Sequence, residues 1–367
     1  MLTKLAIIVF FISGTLCFCL IILSKRSRTL LDQIIGIQKI HHKSVARVGG
    51  VGIFIAFVLG IGVLSIRFND FSYIYFLISL LPIVIIGFYE DIKKKAGPIC
   101  RLNISFLSAA LAIMLLNATI ERTGISVLDS LVRSKIMGTI FACIAIAGVT
   151  NAINIIDGMN GLSSGTSIVL LAAIGYVAFK FQDFFILSIA VLAAAAILGF
   201  FFWNYPYGRI FLGDGGAYFI GFTLATCSIL LVNRNKDVSP WFPILVLIYP
   251  VFETLFTIYR RKYLKKKSPI YPDNLHLHSL FYRRVVPVLF NNGRNILSQN
   301  AMTSPLIWGL SVISVVPAVI FVSNTFALIL FTILFVLLYI FLYKSIVCFK
   351  IGHLIKKTVN EKSEGNE

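Results

Sequence analysis

The sequence predicts an all-α integral membrane protein of about eleven transmembrane helices, with the N-terminus outside and the C-terminus cytoplasmic. Three observations predict it. Of 367 residues, 58% are hydrophobic and 13% charged, where soluble domains run at about 45–50% and about 25%. Apolar runs of about 20 residues, the length that crosses a bilayer, recur along the chain. The loops between them alternate in charge: one set holds 25 of the 33 Lys and Arg and the other holds eight. Basic loops stay cytoplasmic, and the resulting orientation requires an odd number of spans, in agreement with the independent count of eleven.

The first run, Ala6 to Ser24, is longer than a secretory h-region of about 7–15 residues. It is followed by Lys25-Arg26-Ser27-Arg28 rather than a small-residue cleavage site, so a retained first span over 4–24 is expected. Further spans are expected over 48–66, 72–89, 102–120, 136–150, 164–180, 184–203, 211–232, 240–259, 303–322 and 325–347. Several contain Gly or Pro, which membrane helices tolerate. Together they form a single polytopic domain, 1–367, carrying a large basic cytoplasmic loop over 260–302 and a flexible tail over 356–367. No fixed-period repeat interrupts it. The six cysteines form no C-x-x-C pair and read as small buried hydrophobes.

The net charge of +18 admits nucleic acid, a membrane surface or an anionic substrate as partner. No nucleic acid is expected, because the basic residues lie between apolar spans rather than in a soluble module.

The cytoplasmic loops collect the residues that could carry chemistry. Glu90-Asp91 ends one span just before Lys93-Lys94-Lys95. Adjacent acids can hold a divalent cation or act as a base, but on their own a solvated helix end paired with the lysines explains them better. Asn151, Asn154 and Asp157 are spaced by three, so on a helix they share a face that Asn160 could extend. Gly158 and Gly161 let a ligand approach the backbone there. Gly213-Asp214-Gly215-Gly216 opens a span, where an acid among glycines suits metal or phosphate contact, although a surface turn accounts for it equally. In the basic loop, His276 and His278 face one way if extended, a pattern suited to phosphate binding or acid–base work. No partner set completes a zinc site around them. Glu253 is the one acid well inside a span, three residues after Pro250. Carboxylates there are functional candidates by default, with pairing to a basic residue as the competitor.

In this order, the clusters resemble the polyprenyl-phosphate N-acetylhexosamine-1-phosphate transferase family. That family includes the bacterial enzymes that start O-antigen and the phospho-MurNAc-pentapeptide transferase of peptidoglycan synthesis. Arg47-Val48-Gly49-Gly50 resembles its R-x-G-G, and Asn151 to Leu162 its N-x-x-N-x-x-D-G-x-x-G-L. Gly213 to Gly216 resembles its G-D-x-G, and His276-Leu277-His278 its H-x-H. The likeness runs from Lys43 to His278. Glu90 stands where the family usually has Asp, Asn160 where it often has Asp, and the H-x-H lacks the triple His typical of the peptidoglycan enzyme.

The resemblance implies transfer of an N-acetylhexosamine-1-phosphate from a UDP-N-acetylhexosamine to undecaprenyl phosphate, releasing UMP. It implies Mg²⁺, with Mn²⁺ as the alternative, held by Asn154 and Asp214. It makes Glu90, Asp91, Asp157 and His276 the catalytic candidates. It makes Asn151, Asn160, Phe211, His278 and Arg283 substrate contacts, with Phe211 and Asn160 at the uracil. Its setting is the bacterial inner membrane among membrane lipids, with the site on the cytoplasmic face, and a homo-oligomer is compatible with it. The rival readings are the pentapeptide transferase and, in a different class, a transporter, whose polar sites would sit near the bilayer midplane between repeats.

Overall fold

The computed structural model of the protein describes residues 1–25, 31–32, 45–264, 275–289 and 296–348. The middle of the expected basic loop (265–274 and 290–295) and the expected tail, 356–367, lie outside the described residues. In chain order the helices are α1 (Leu2–Ser24), α2 (Gly49–Phe68), α3 (Ser72–Lys93), α4 (Pro98–Leu116), α5 (Ser126–Val132), α6 (Lys135–Ile156), α7 (Leu162–Lys180), α8 (Phe184–Asn204) and α9 (Gly213–Arg234). They continue with α10 (Trp241–Val246), α11 (Ile248–Tyr259), α12 (Leu277–Leu280), α13 (Val286–Leu289), α14 (Ile296–Ile320) and α15 (Thr325–Val347). Two short strands, β1 (Leu31–Asp32) and β2 (Val45–Ala46), pair antiparallel with Leu31 opposite Ala46.

Among the described residues, ten helices are long and apolar enough to cross a membrane, and the chain is an integral membrane protein. The remaining expected span, 240–259, is two short helices that meet at Leu247. Pro250 explains the break. Its ring clashes with the carbonyl four residues earlier, at Val246, and it has no N–H to give. The fourth span starts at Pro98 rather than 102, because proline suits the first helical position.

α9 forms the centre of the bundle: 94% of its apolar window is buried, against 22% for α1 and α15. The peripheral helices turn large apolar side chains outward, among them Phe11, Ile66, Phe326 and Phe341, as lipid contact demands. Close packing relies on small residues and on polar cross-links. α1 meets α8 where Ser13 Oγ donates to Ala196 O (2.6 Å) and Trp203 Nε1 to Gly14 O (2.9 Å). Pro82 disturbs the ladder of α3, and Ser108 Oγ on α4 accepts the Ile83 N–H at 3.1 Å. These contacts bring one end of α2, α3, α4, α6 and α9 together, and that end carries the conspicuous polar clusters.

Candidate active site

α9 begins in the middle of this end, with its first N–H groups unsatisfied by its own helix. Asp91, buried on the last turn of α3, accepts the Asp214 N–H on Oδ1 (2.8 Å) and the Gly215 N–H on Oδ2 (3.0 Å). A carboxylate there also meets the positive end of the helix dipole. Glycine makes the approach feasible. Gly213 has φ +79°, and a Cβ on Gly87 would stand 2.5 Å from the Gly215 Cα. Glu90 points elsewhere: its Oε2 accepts the Ala96 N–H at 2.8 Å and closes the turn between α3 and α4. The two adjacent acids therefore have different tasks.

Asp214 lies between two arginines. Arg47 Nη2 donates to its Oδ1 and Arg101 Nη1 to its Oδ2, and Arg47 Nε lies 3.4 Å from Asp91 Oδ1. The Asp214 side chain is 3% exposed, against 34% for Arg47 and 20% for Arg101, so the guanidinium groups line the mouth and the acid its floor. Arg47 is held in place by its own strand, since the Phe211 N–H donates to Ala46 O (2.8 Å) and the Gly49 N–H to Phe211 O (2.9 Å). The Phe211 residue is half-buried just before α9. Arg101 was not identified from sequence. Its only signal was a lone cation in the first turn of an apolar helix, ten residues beyond the acid pair.

The end of α6 approaches from the side. Asn154 hydrogen-bonds the Tyr218 hydroxyl of α9. Asn151 is tied to Ala147 O (2.8 Å) and Ser105 Oγ (3.4 Å). Asp157 follows the last residue of α6, within the field of Arg47 and Asp214. Burial pushes its carboxyl up to about 7, the Arg47 charge pulls down and the Asp214 charge adds to the rise. Asn160 leaves this face because the helix stops at Ile156. Its N–H donates to Asn300 Oδ1 (2.9 Å), its Nδ2 to Pro206 O (3.1 Å), and its carbonyl accepts from Ser304 Oγ (2.6 Å). Asn160 thus ties the turn to α14 and to the loop after α8.

The histidines come from the far side of the chain. His276 precedes α12 and places Nδ1 3.1 Å from Glu253 Oε1. Glu253, buried on α11, pairs with this imidazole, a basic partner of the kind weighed from the sequence, and with Tyr339 Oη of α15 (2.7 Å). His278 stacks on His276, the rings 5.3 Å apart and 3° from parallel. A Cβ on Gly158 would stand 2.9 Å from His278 Nε2, so the histidine turn sits directly against the turn that carries Asp157. Burial and the neighbouring His276 push the His278 imidazole down to about 4, with Glu253 opposing, and it is therefore uncharged near neutrality. Arg283 is exposed on the turn Phe281–Val285 that follows.

The structure thus gathers Asp91, Asn154, Asp157, Asp214 and His278 at one end of the bundle, with Glu90, Asn160 and Arg283 in supporting or outer positions. Among the described residues, no group of three or more His, Cys, Asp and Glu side chains forms a metal-ligand cluster. The hard-oxygen set is Asp214, Asp157 and the Asn154 amide. One or two carboxylates, with waters and substrate phosphates completing the shell, is the provision Mg²⁺ takes. On the chemistry of its donors the set fits such an ion.

The chain is similar in sequence to known proteins. The model of glycosyl transferase family 4 matches residues 73–232. A Bacillus subtilis protein described as a probable undecaprenyl-phosphate N-acetylglucosaminyl 1-phosphate transferase is 31% identical over 245 residues, 66% of this chain and 66% of that protein. The undecaprenyl-phosphate alpha-N-acetylglucosaminyl 1-phosphate transferase of Thermotoga maritima is 29% identical over 68% of this chain and 72% of its own length. The phospho-N-acetylmuramoyl-pentapeptide-transferase of Lactobacillus acidophilus is 33% identical over 49% of this chain and 57% of its own. The chain thus spans just under two thirds of the Bacillus subtilis relative.

Proposed function

The chain belongs to glycosyl transferase family 4, and on that premise we propose that it moves an N-acetylhexosamine-1-phosphate from a UDP-sugar to undecaprenyl phosphate. The observation that carries this reading is the junction at Gly158. There a histidine turn abuts three carboxylates and two arginines around the N-terminus of α9. Such a junction suits a reaction between two phosphates, which needs cations and N–H dipoles around the transferring group and a base beside it.

In this reading an oxygen of the lipid phosphate attacks the β-phosphorus of the donor. The bond to the α–β bridging oxygen breaks, and UMP leaves with that oxygen. Asp157, whose carboxyl titrates near 7, takes the lipid phosphate's proton. Asp91 is fully engaged by α9 and orients Asp214 rather than acting as the base. Arg47 and Arg101 draw both phosphates toward the floor of the site. Asp214 and Asn154 would hold Mg²⁺ (Mn²⁺ as the alternative), which supplies charge compensation for the two phosphates and the leaving UMP. His276 and His278 face the donor phosphates, with Arg283 at the outer edge and the Phe211 ring at the uracil. Asn151, Asn160 and Glu90 support the turns.

The likeness to the Bacillus subtilis and Thermotoga maritima N-acetylglucosaminyl 1-phosphate transferases favours UDP-N-acetylglucosamine as donor. The setting is the bacterial inner membrane, with the site on the cytoplasmic face, where 25 of the 33 Lys and Arg fall. The product would begin a surface glycan such as O-antigen. The test is UMP release by the purified chain from a panel of UDP-sugars, with and without undecaprenyl phosphate and Mg²⁺. Lipid- and Mg²⁺-dependent UMP from UDP-N-acetylglucosamine is expected. Turnover with the UDP-MurNAc-pentapeptide alone would transfer the chain to the peptidoglycan branch, and no UMP from any donor would sink the reading.

A further inference from the structure

Glu253 is fully buried on α11, six residues beyond the Leu247 break. A carboxylate in an apolar bundle is costly unless donors converge on it, and here they come from two other elements, the start of α12 and α15. The Leu277 N–H lies 3.1 Å from Oε1 and 3.3 Å from Oε2, Tyr339 Oη of α15 donates to Oε2 at 2.7 Å, and His276 Nδ1 lies 3.1 Å from Oε1. Thr257 Oγ1, one helical turn on, lies 3.3 Å from the same Nδ1. A purely architectural tie between α11, α12 and α15 is complete with Leu277 and Tyr339 alone. The imidazole adds something chemical. A carboxylate that accepts from an amide and a phenol accepts from the ring as well, so Nδ1 carries the proton and Nε2 is the free nitrogen of His276.

We infer that Glu253 is a positioning residue for His276: it fixes the ring's tautomer and plane, while Tyr339 anchors the carboxylate from the last helix. The inference rests on His276 acting on the donor phosphates. A ring held by its Nδ1–H turns Nε2 outward as the nitrogen that meets substrate. The groups that face the pair are His278 from α12, Tyr249 from α11, Tyr339 and Tyr343 from α15, and Arg260 at the end of α11, whose Nη1 donates to Leu275 O at 2.6 Å.

The test uses the full chain in detergent with undecaprenyl phosphate, Mg²⁺ and the best UDP-sugar. It reads kcat and donor KM from about pH 5.5 to 9 for the wild type, Glu253→Gln, Glu253→Asp and Tyr339→Phe. In parallel, ¹⁵N-histidine spectra are recorded, with the His276 signals assigned through His276→Gln. Glu253→Gln is expected to lower kcat at least about tenfold, with donor KM changed less. The Nδ1-protonated His276 signal should give way to mixed tautomers. Glu253→Asp should recover part of kcat, and Tyr339→Phe should change the same signal by less. If Glu253→Gln melts lower yet keeps the wild-type kcat and the wild-type His276 spectrum, the carboxylate is only a brace and the inference is overturned. If Glu253→Gln fails to fold, Tyr339→Phe decides: an unchanged kcat and His276 spectrum overturn the inference. A wild type that releases no UMP would remove the proposed reaction, and the ¹⁵N spectra would still decide the placement of His276.

Discussion

At the acid end of the site, two acidic and two basic side chains meet around the start of α9: Asp91 and Asp214 against Arg47 and Arg101. At the histidine end, a single buried carboxylate is met by an amide, a phenol and an imidazole. The difference follows from position. The acid end opens through its partly exposed arginines, where charge is hydrated and pairs cheaply. The histidine end is closed over by α15, where an unpaired full charge would be prohibitive, so dipoles take its place. One end is built to attract and hold phosphate, and the other to present a ring in a set orientation.

The largest effect that tests this contrast comes from the centre of the acid end. Asp214→Asn should reduce UMP release by about 10²–10³-fold, the usual cost of removing a preorganised electrostatic group. It also removes the carboxylate that Arg47 and Arg101 share. Breaking a fully buried pair costs about 3–5 kcal/mol, but Arg47 is 34% exposed, so about 1–3 kcal/mol of stability is the appropriate expectation. Near wild-type turnover in a folded Asp214→Asn protein would remove Asp214 from the chemistry.

Two glycines separate packing from presentation. A Cβ on Gly87 would meet the Gly215 backbone at 2.5 Å, where nothing can swing aside. Gly87→Ala should therefore cost about 1–3 kcal/mol by pushing α3 off α9, seen as a lower melting midpoint. A Cβ on Gly158 would meet the His278 ring at 2.9 Å, and a ring can shift. Gly158→Ala should melt close to the wild type and still lose activity, because the two halves of the site move apart. Equal losses of stability in both variants would erase the distinction between the ends.

Much of this was legible in the sequence, and the illegible parts share a cause. The spans, the basic-loop asymmetry and the four clusters are local signals, readable from runs and spacings. Which acid of Glu90-Asp91 faces inward depends on the angle at which α3 meets α9, which is set by Gly87 and Gly215 across 128 residues of chain. Arg101 and Tyr339 gain their meaning only from partners more than 80 residues away. The break at Leu247 was available locally, in Pro250, but the apolar count over 240–259 hid it. Hydropathy reports that a segment is buried in lipid and says nothing about whether its backbone is continuous.

The two ends should also answer pH with opposite signs. The Asp157 carboxyl titrates near 7 folded, against 3.8 ordinarily. Its proton is held more tightly in the folded state, so its contribution to stability is present below 3.8 and is lost as pH rises to 7. His278 titrates near 4 folded against 6.5 ordinarily, so its contribution is present above 6.5 and is lost as pH falls to 4. Melting midpoints measured from about pH 4 to 8 should therefore lose a falling component in Asp157→Asn and a rising component in His278→Gln. Parallel curves for the two variants would show that the ends do not differ in this way.

The smallest effect concerns a residue that belongs to neither end. Asn160 stands where the resemblance places a uracil contact, yet its Nδ2 donates to Pro206 O and its backbone is bonded by Asn300 and Ser304. Asn160→Ala removes one side-chain hydrogen bond at a site 5% exposed and leaves the Pro206 carbonyl without that donor. The expected cost is about 1–2 kcal/mol of stability, with the donor KM within about twofold of the wild type. A donor KM raised about tenfold or more, at an unchanged melting midpoint, would return Asn160 to the substrate, because a contact made only to a bound nucleotide costs affinity and leaves the free protein's stability untouched.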